Sequence, residues 1–127
     1  MKGYDHLGFQ VNDMEASLRF YTEKLGFTLV SCDVNPDSGL EFAFLTLGDL
    51  SLELLRAAGL AFRPPEIKPP YCPHLALPTD DMAGAVAKLK QAGAEIIGGP
   101  WVHEGVSTWM YFADPDHNVL EYIRWLE

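Results

Sequence analysis

"HLGFQVNDMEASLRFYTEKLGF", residues 6–27, and "HLALPTDDMAGAVAKLKQAGA", residues 74–94, are two versions of one plan. His74 lies 68 positions after His6, and Leu75, Asp81 and Met82 follow Leu7, Asp13 and Met14 at the same offset. Further on, "LSLELLR" (50–56) is answered by "NVLEYIR" (118–124), which places Glu121 and Arg124 68 residues after Glu53 and Arg56. Phe112 after Phe44 keeps that register, and each His precedes its Glu by 47 residues. An internal repeat of this kind means one supersecondary unit used twice.

The unit can be read from its periodicities. Around residues 4–11, Leu7, Phe9 and Val11 alternate with His6, Gly8 and Gln10, the period-two pattern of a strand covered on one face. Asn12 with Glu15 three residues on reads as a capping box, and Met14, Leu18, Tyr21 and Leu25 recur at helical spacing until Gly26 stops the helix. In the second half Asp80 is the expected cap, Met82, Val86 and Leu89 form the stripe, and Gly93 ends it. Three strand-like runs follow each helix: 27–34, 40–47 and 50–56, then 94–102, 107–113 and 119–125. The predicted architecture is α+β, two βαβββ modules in tandem within a single domain over 1–127. Module 1 covers about residues 1–56, a linker with two Pro-Pro pairs about 57–70, and module 2 about 71–127.

Strand parity aims the polar residues. Leu7, Phe9, Leu52 and Leu54 face the helix, so His6 and Glu53 face the other way. Leu75, Leu77, Leu120 and Tyr122 do the same for His74 and Glu121. An approximate two-fold between the halves would bring all four polar side chains to one point. Two imidazoles and two carboxylates without a thiolate form a nitrogen/oxygen set for one divalent metal, Ni, Co, Zn, Mn or Fe, with positions left open to water or substrate. The plainer alternative is two His–Glu hydrogen-bonded pairs. Phe42, Phe44, Trp109 and Tyr111 lie on the same face, as a substrate-pocket floor or as an interface; parity does not separate the two. His103, followed by Glu104, reads either as the rim of that site or as a solvated loop.

Composition narrows the classes. Eighteen acids against nine bases give a net charge of −9, and the bases form no stripe. Nucleic-acid binding, which needs clustered cations, is disfavoured on that ground, and an anionic membrane surface likewise. No apolar run has bilayer length and "MKGYDHL" lacks a signal-peptide core, so the expectation is a soluble, cytoplasmic protein. Cys32 and Cys72 match no disulfide, zinc or redox spacing and read as buried or idle thiols.

At this point the chain resembles the vicinal oxygen chelate superfamily, the glyoxalase I, bleomycin resistance protein and dioxygenase type. The first stretch quoted above looks like its first-module signature. "MYFADPDHNVLEY" (110–122) looks like its last hairpin, with His117 where glycine is usual; the plain reading of His117 is a left-handed turn residue. The resemblance implies a cup-shaped mixed sheet around one metal held by His6, Glu53, His74 and Glu121, a pattern most like that of lactoylglutathione lyases. It implies a lyase or isomerase that moves a proton through a metal-stabilised enediolate or enolate on a small oxygenated substrate or its thiol adduct. Glu121 is then the base, with Glu53 its counterpart. Gln10 takes the first-strand position where short bacterial glyoxalases carry a glutathione-contacting arginine. A homodimer is also implied, with modules swapped or not. Alternatives within the same fold are a coenzyme A thioester epimerase, an extradiol-type dioxygenase and a metal-free drug-binding resistance protein.

Overall fold

The computed structural model describes residues 3–126. The chain divides into two compact units, one up to Arg63 and one from Pro64. In the first, β1 (Leu7–Gln10) leads into α1 (Met14–Arg19), which continues as a π turn over Phe20–Lys24. β2 (Thr28–Val34), β3 (Glu41–Leu47) and β4 (Leu50–Arg56) follow. The second repeats the order with β5 (His74–Pro78), α2 (Met82–Gln91), β6 (Glu95–His103), β7 (Ser107–Ala113) and β8 (Val119–Trp125). The expected α+β class with its βαβββ plan is therefore the observed one.

Each unit holds a four-stranded mixed sheet, ordered β1-β4-β3-β2 in one and β5-β8-β7-β6 in the other. β1 pairs parallel with β4 and β5 with β8, whereas the hairpins β2-β3-β4 and β6-β7-β8 are antiparallel. A parallel pair needs a crossover, and each unit supplies its helix there. One face of each sheet packs on that helix. Leu52, Leu54, Ala43 and Leu45 are fully buried in the first unit, and Leu120, Met110 and Phe112 in the second. At about 25 cal/mol per Å² this apolar burial dominates the stabilisation of each unit.

Three details differ from the sequence expectations. The helix caps are Asp13 and Asp81, not Asn12 and Asp80: their carboxylates accept from the amides of Ala16 and Gly84. The displaced residues serve through their carbonyls instead. Arg56 Nε donates to the Asn12 oxygen at 2.8 Å, and Arg124 Nε to the Asp80 oxygen at 3.3 Å. The third difference is register. Phe44 lies opposite Glu53, but Tyr111, not Phe112, lies opposite Glu121. The offset between the central strands is thus 67, one less than elsewhere. Phe112 turns to the core, and Tyr111 is the structural counterpart of Phe44.

Local turns hold the strands in place. Gly26 and Gly93, just past the helices, have φ of +84° and +70°, which a side chain would resist. Before β8, buried Asp114 accepts from the amides of Asp116 and Asn118 and from the Asn118 side chain. His117 sits in this turn at φ +68°, the left-handed conformation expected from the sequence.

Candidate functional site

In the first unit the end of the segment before β1 and the middle of β4 bring His6 to Glu53. Gly8 lies directly opposite Glu53 in the parallel pair. A Cβ at Gly8 would press on Leu55 Cδ1 at 3.3 Å. Nε2 of His6 lies 3.1 Å from Glu53 Oε1, and its Nδ1 lies 2.6 Å from Asp5 Oδ2. The Asp5 hydrogen bond raises the His6 pKa above the usual imidazole value; partial burial opposes this, and the Glu53 charge adds to it. Phe44 meets the imidazole edge to face, with ring centroids 5.2 Å apart.

The second unit builds the same pair independently. Nε2 of His74 lies 3.0 Å from Glu121 Oε1, and Nδ1 lies 3.0 Å from the Tyr71 carbonyl oxygen. Tyr111 meets this imidazole at 5.0 Å, as Phe44 does in the other unit. Burial raises the Tyr111 pKa above the usual phenol value, and the nearby Glu121 charge adds to that. Glu121 itself is buried, so its charge requires a partner.

Hydrogen-bond capacity then constrains the pairs. A carbonyl oxygen only accepts, so Nδ1 of His74 carries a proton. In a neutral ring Nε2 is then an acceptor facing Glu121 Oε1. His6 stands likewise between two carboxylates. Each arrangement is completed by a proton shared between ring nitrogen and carboxyl oxygen, or by a metal ion. Among the described residues no group of three or more His, Cys, Asp or Glu side chains is placed to hold a metal by itself. What each unit offers is one nitrogen and one carboxylate.

The other expected site residues fall differently. Trp109 and Tyr111 lie on the face of β7 opposite its buried Met110 and Phe112. Gln10 is exposed at the end of β1, opposite Leu55. His103 is exposed at the far end of β6, opposite Ser107, and its carbonyl accepts from Val106 in the connecting turn. Gly98, five residues back along β6, is the residue that pairs with Tyr111. Asp5 and Tyr71 are the residues that sequence reasoning missed. Asp5 stood next to the decisive histidine, but Tyr71 acts through a backbone carbonyl, which leaves no signature. Cys32 and Cys72 are both exposed rather than buried.

Comparison with known proteins identifies the class. Residues 3–122 match the Glyoxalase/Bleomycin resistance protein/Dioxygenase superfamily, and the chain belongs to it. A lactoylglutathione lyase of Escherichia coli O157:H7 is 31% identical, over 94% of this chain and 90% of that one. An ethylmalonyl-CoA/methylmalonyl-CoA epimerase of Cereibacter sphaeroides is 29% identical, over 74% and 73%. Among solved structures, a glyoxylase/bleomycin resistance protein/dioxygenase domain from Frankia sp. EAN1pec superposes with a TM-score of 0.81 at 26% identity. That match covers all of this chain and 94% of the other.

Proposed function

We propose that the protein is a metal-dependent lyase or isomerase of the glyoxalase I type. It would transfer a proton between adjacent carbons of a small oxygenated substrate or its thiol adduct. The observation that carries this reading is the duplicated His–Glu pair. Both rings have Nδ1 engaged by an outer acceptor and Nε2 directed at a carboxylate oxygen 3.0–3.1 Å away. Outer acceptors of this kind orient a ligating imidazole. The spacing also suits two neighbouring donors on one ion, since donors about 2.1 Å from a metal at a right angle lie roughly 3.0 Å apart.

The residues present thus fit a divalent cation. His6 and His74 would hold it through Nε2, and Glu53 and Glu121 through their carboxylates. Bound there, such an ion would polarise two adjacent substrate oxygens and acidify the carbon-bound hydrogen between them. Glu121, more buried than Glu53, is the base: it removes that proton and returns it to the neighbouring carbon. Glu53 is its counterpart in the first unit. The protein would act as a homodimer, the two pairs meeting either within one chain or, with modules swapped, His6 and Glu53 of one protomer serving with His74 and Glu121 of its partner.

The thioester epimerase among the relatives supports a second substrate class for the same proton transfer. The test is metal analysis after dialysis against each candidate cation, followed by hemithioacetal isomerisation assays with several thiols. One cation per set of four donors, with activity that follows loading, is the expected result. Full activity in metal-stripped protein would remove the reading.

A further inference from the structure

The second sheet carries a run of aromatic rings that ends on the proposed ligand pair. Trp101 lies against Trp109, centroids 6.3 Å apart, and against Tyr111 at 5.8 Å. Tyr111 touches Tyr71 at 5.1 Å and His74 at 5.0 Å. The sequence "GGPW" (98–101) builds this contact. The β6–β7 register slips between Gly98 and Trp101, so the indole folds back over Gly98. A Cβ on Gly98 would lie 2.7 Å from the Trp101 ring, so only glycine leaves the indole its seat. Trp101 remains 40% exposed, which leaves ring surface available.

Charge on the sheets is as selective as shape. The eight strands contain two Lys or Arg residues, Arg56 and Arg124. Arg56 shares the face of the helix-facing Leu52 and Leu54, and Arg124 that of Leu120 and Tyr122; both donate to backbone carbonyls of the segments leading into the helices. The face bearing the His–Glu pairs therefore offers rings and carboxylates but no strand cation to meet an anionic tail.

We infer that Trp101, Trp109 and Tyr111 form the specificity surface of this site and select a substrate with an uncharged aromatic ring next to its vicinal oxygens. A conjugate bearing several carboxylates or phosphates is disfavoured. This rests on the reading of His74 and Glu121 as metal ligands. A stacked ring gains dispersion and quadrupole contacts that a methyl group lacks.

The test is binding to the metal-loaded protein, followed by tryptophan fluorescence and calorimetry. The probes are 2-hydroxyacetophenone, hydroxyacetone, acetophenone and S-hexylglutathione. The first two share the vicinal oxygens and differ in ring against methyl. The expected result is 2-hydroxyacetophenone bound roughly tenfold or more tighter than hydroxyacetone. Trp101→Leu should bring that ratio to within about threefold, while Trp109→Phe, which keeps a ring, retains much of it. Metal content and circular dichroism of each variant check the fold. Equal affinity for the two ketones, tighter binding of S-hexylglutathione, or an unchanged ratio in Trp101→Leu overturns the inference. Failure of the metal reading looks different: acetophenone, lacking the second oxygen, would then bind as well as 2-hydroxyacetophenone while the ring preference stayed.

Discussion

Nε2 of His74 lies 3.0 Å from Glu121 Oε1 while Nδ1 of the same ring faces the Tyr71 carbonyl. With Nδ1 donating to that carbonyl, Nε2 meets the buried carboxyl group only through a shared proton or a bound ion. A second ring proton meets that demand, and so does a metal ion, the reading proposed above. His74→Ala should therefore lose the cation along with the fixed position of Glu121. The affinity loss should exceed the ~10–100-fold typical of losing an outer-shell partner, since a direct ligand is removed. Titration of the stripped variant with Ni or Zn measures it; unchanged affinity would count against His74 as a ligand.

Asp5 plays for His6 the part that a main-chain carbonyl plays for His74. Asp5→Ala frees the His6 ring to rotate and to change tautomer, so metal affinity should fall about 10–100-fold. Asp5→Asn keeps an acceptor oxygen and should lose less. Equal losses in the two variants would show that charge, not orientation, matters at this position.

Mixing two variants tests whether two copies share the site. His6→Ala and His74→Ala are each defective alone. In a symmetric dimer with shared sites, one mixed dimer regains a full ligand set from the two unaltered pairs, about a quarter of all sites after random exchange. Metal content and activity of the mixture report this. No recovery, with exchange shown by mass spectrometry, would mean that each set belongs to one chain.

The turn before β8 sets the register that delivers Glu121. Asp114→Ala removes three hydrogen bonds to a buried carboxylate and should destabilise the protein by about 2–4 kcal/mol in denaturant melts. His117→Gly goes the other way. Relief of a left-handed side-chain conformation outweighs the glycine's added chain entropy, for a gain of about 0.5–1 kcal/mol. The exposed His117–Glu95 contact at 3.6 Å adds little to the balance.

Much of this was legible in the residues. Strands 50–56, 107–113 and 119–125 fall where alternation puts them, and the 68-residue offset paired each histidine with its glutamate. Parity correctly separated Leu52 and Leu54 from Glu53 because one face of each sheet is buried. The errors are those of competing local solutions. Asn12 and Asp13 are both able to cap, and the choice went to the one whose carboxylate reaches the Ala16 amide. Phe112 matched Phe44 by identity, but hydrogen-bond register, not residue type, decides what lies opposite Glu121. The Trp101 fold-back depends on a bulge at Gly98, which alternation does not reveal.

The proton carrier is the central claim, and deuterium exchange at the substrate carbon beside the carbonyl tests it most directly. It should be measured in wild type and Glu121→Gln, with metal content determined in parallel. The amide oxygen of glutamine still ligates but has no usable basicity. The account therefore predicts a variant that keeps much of its metal and loses about 10²–10⁴ in exchange rate. Equal exchange in the two proteins at equal metal loading would contradict it.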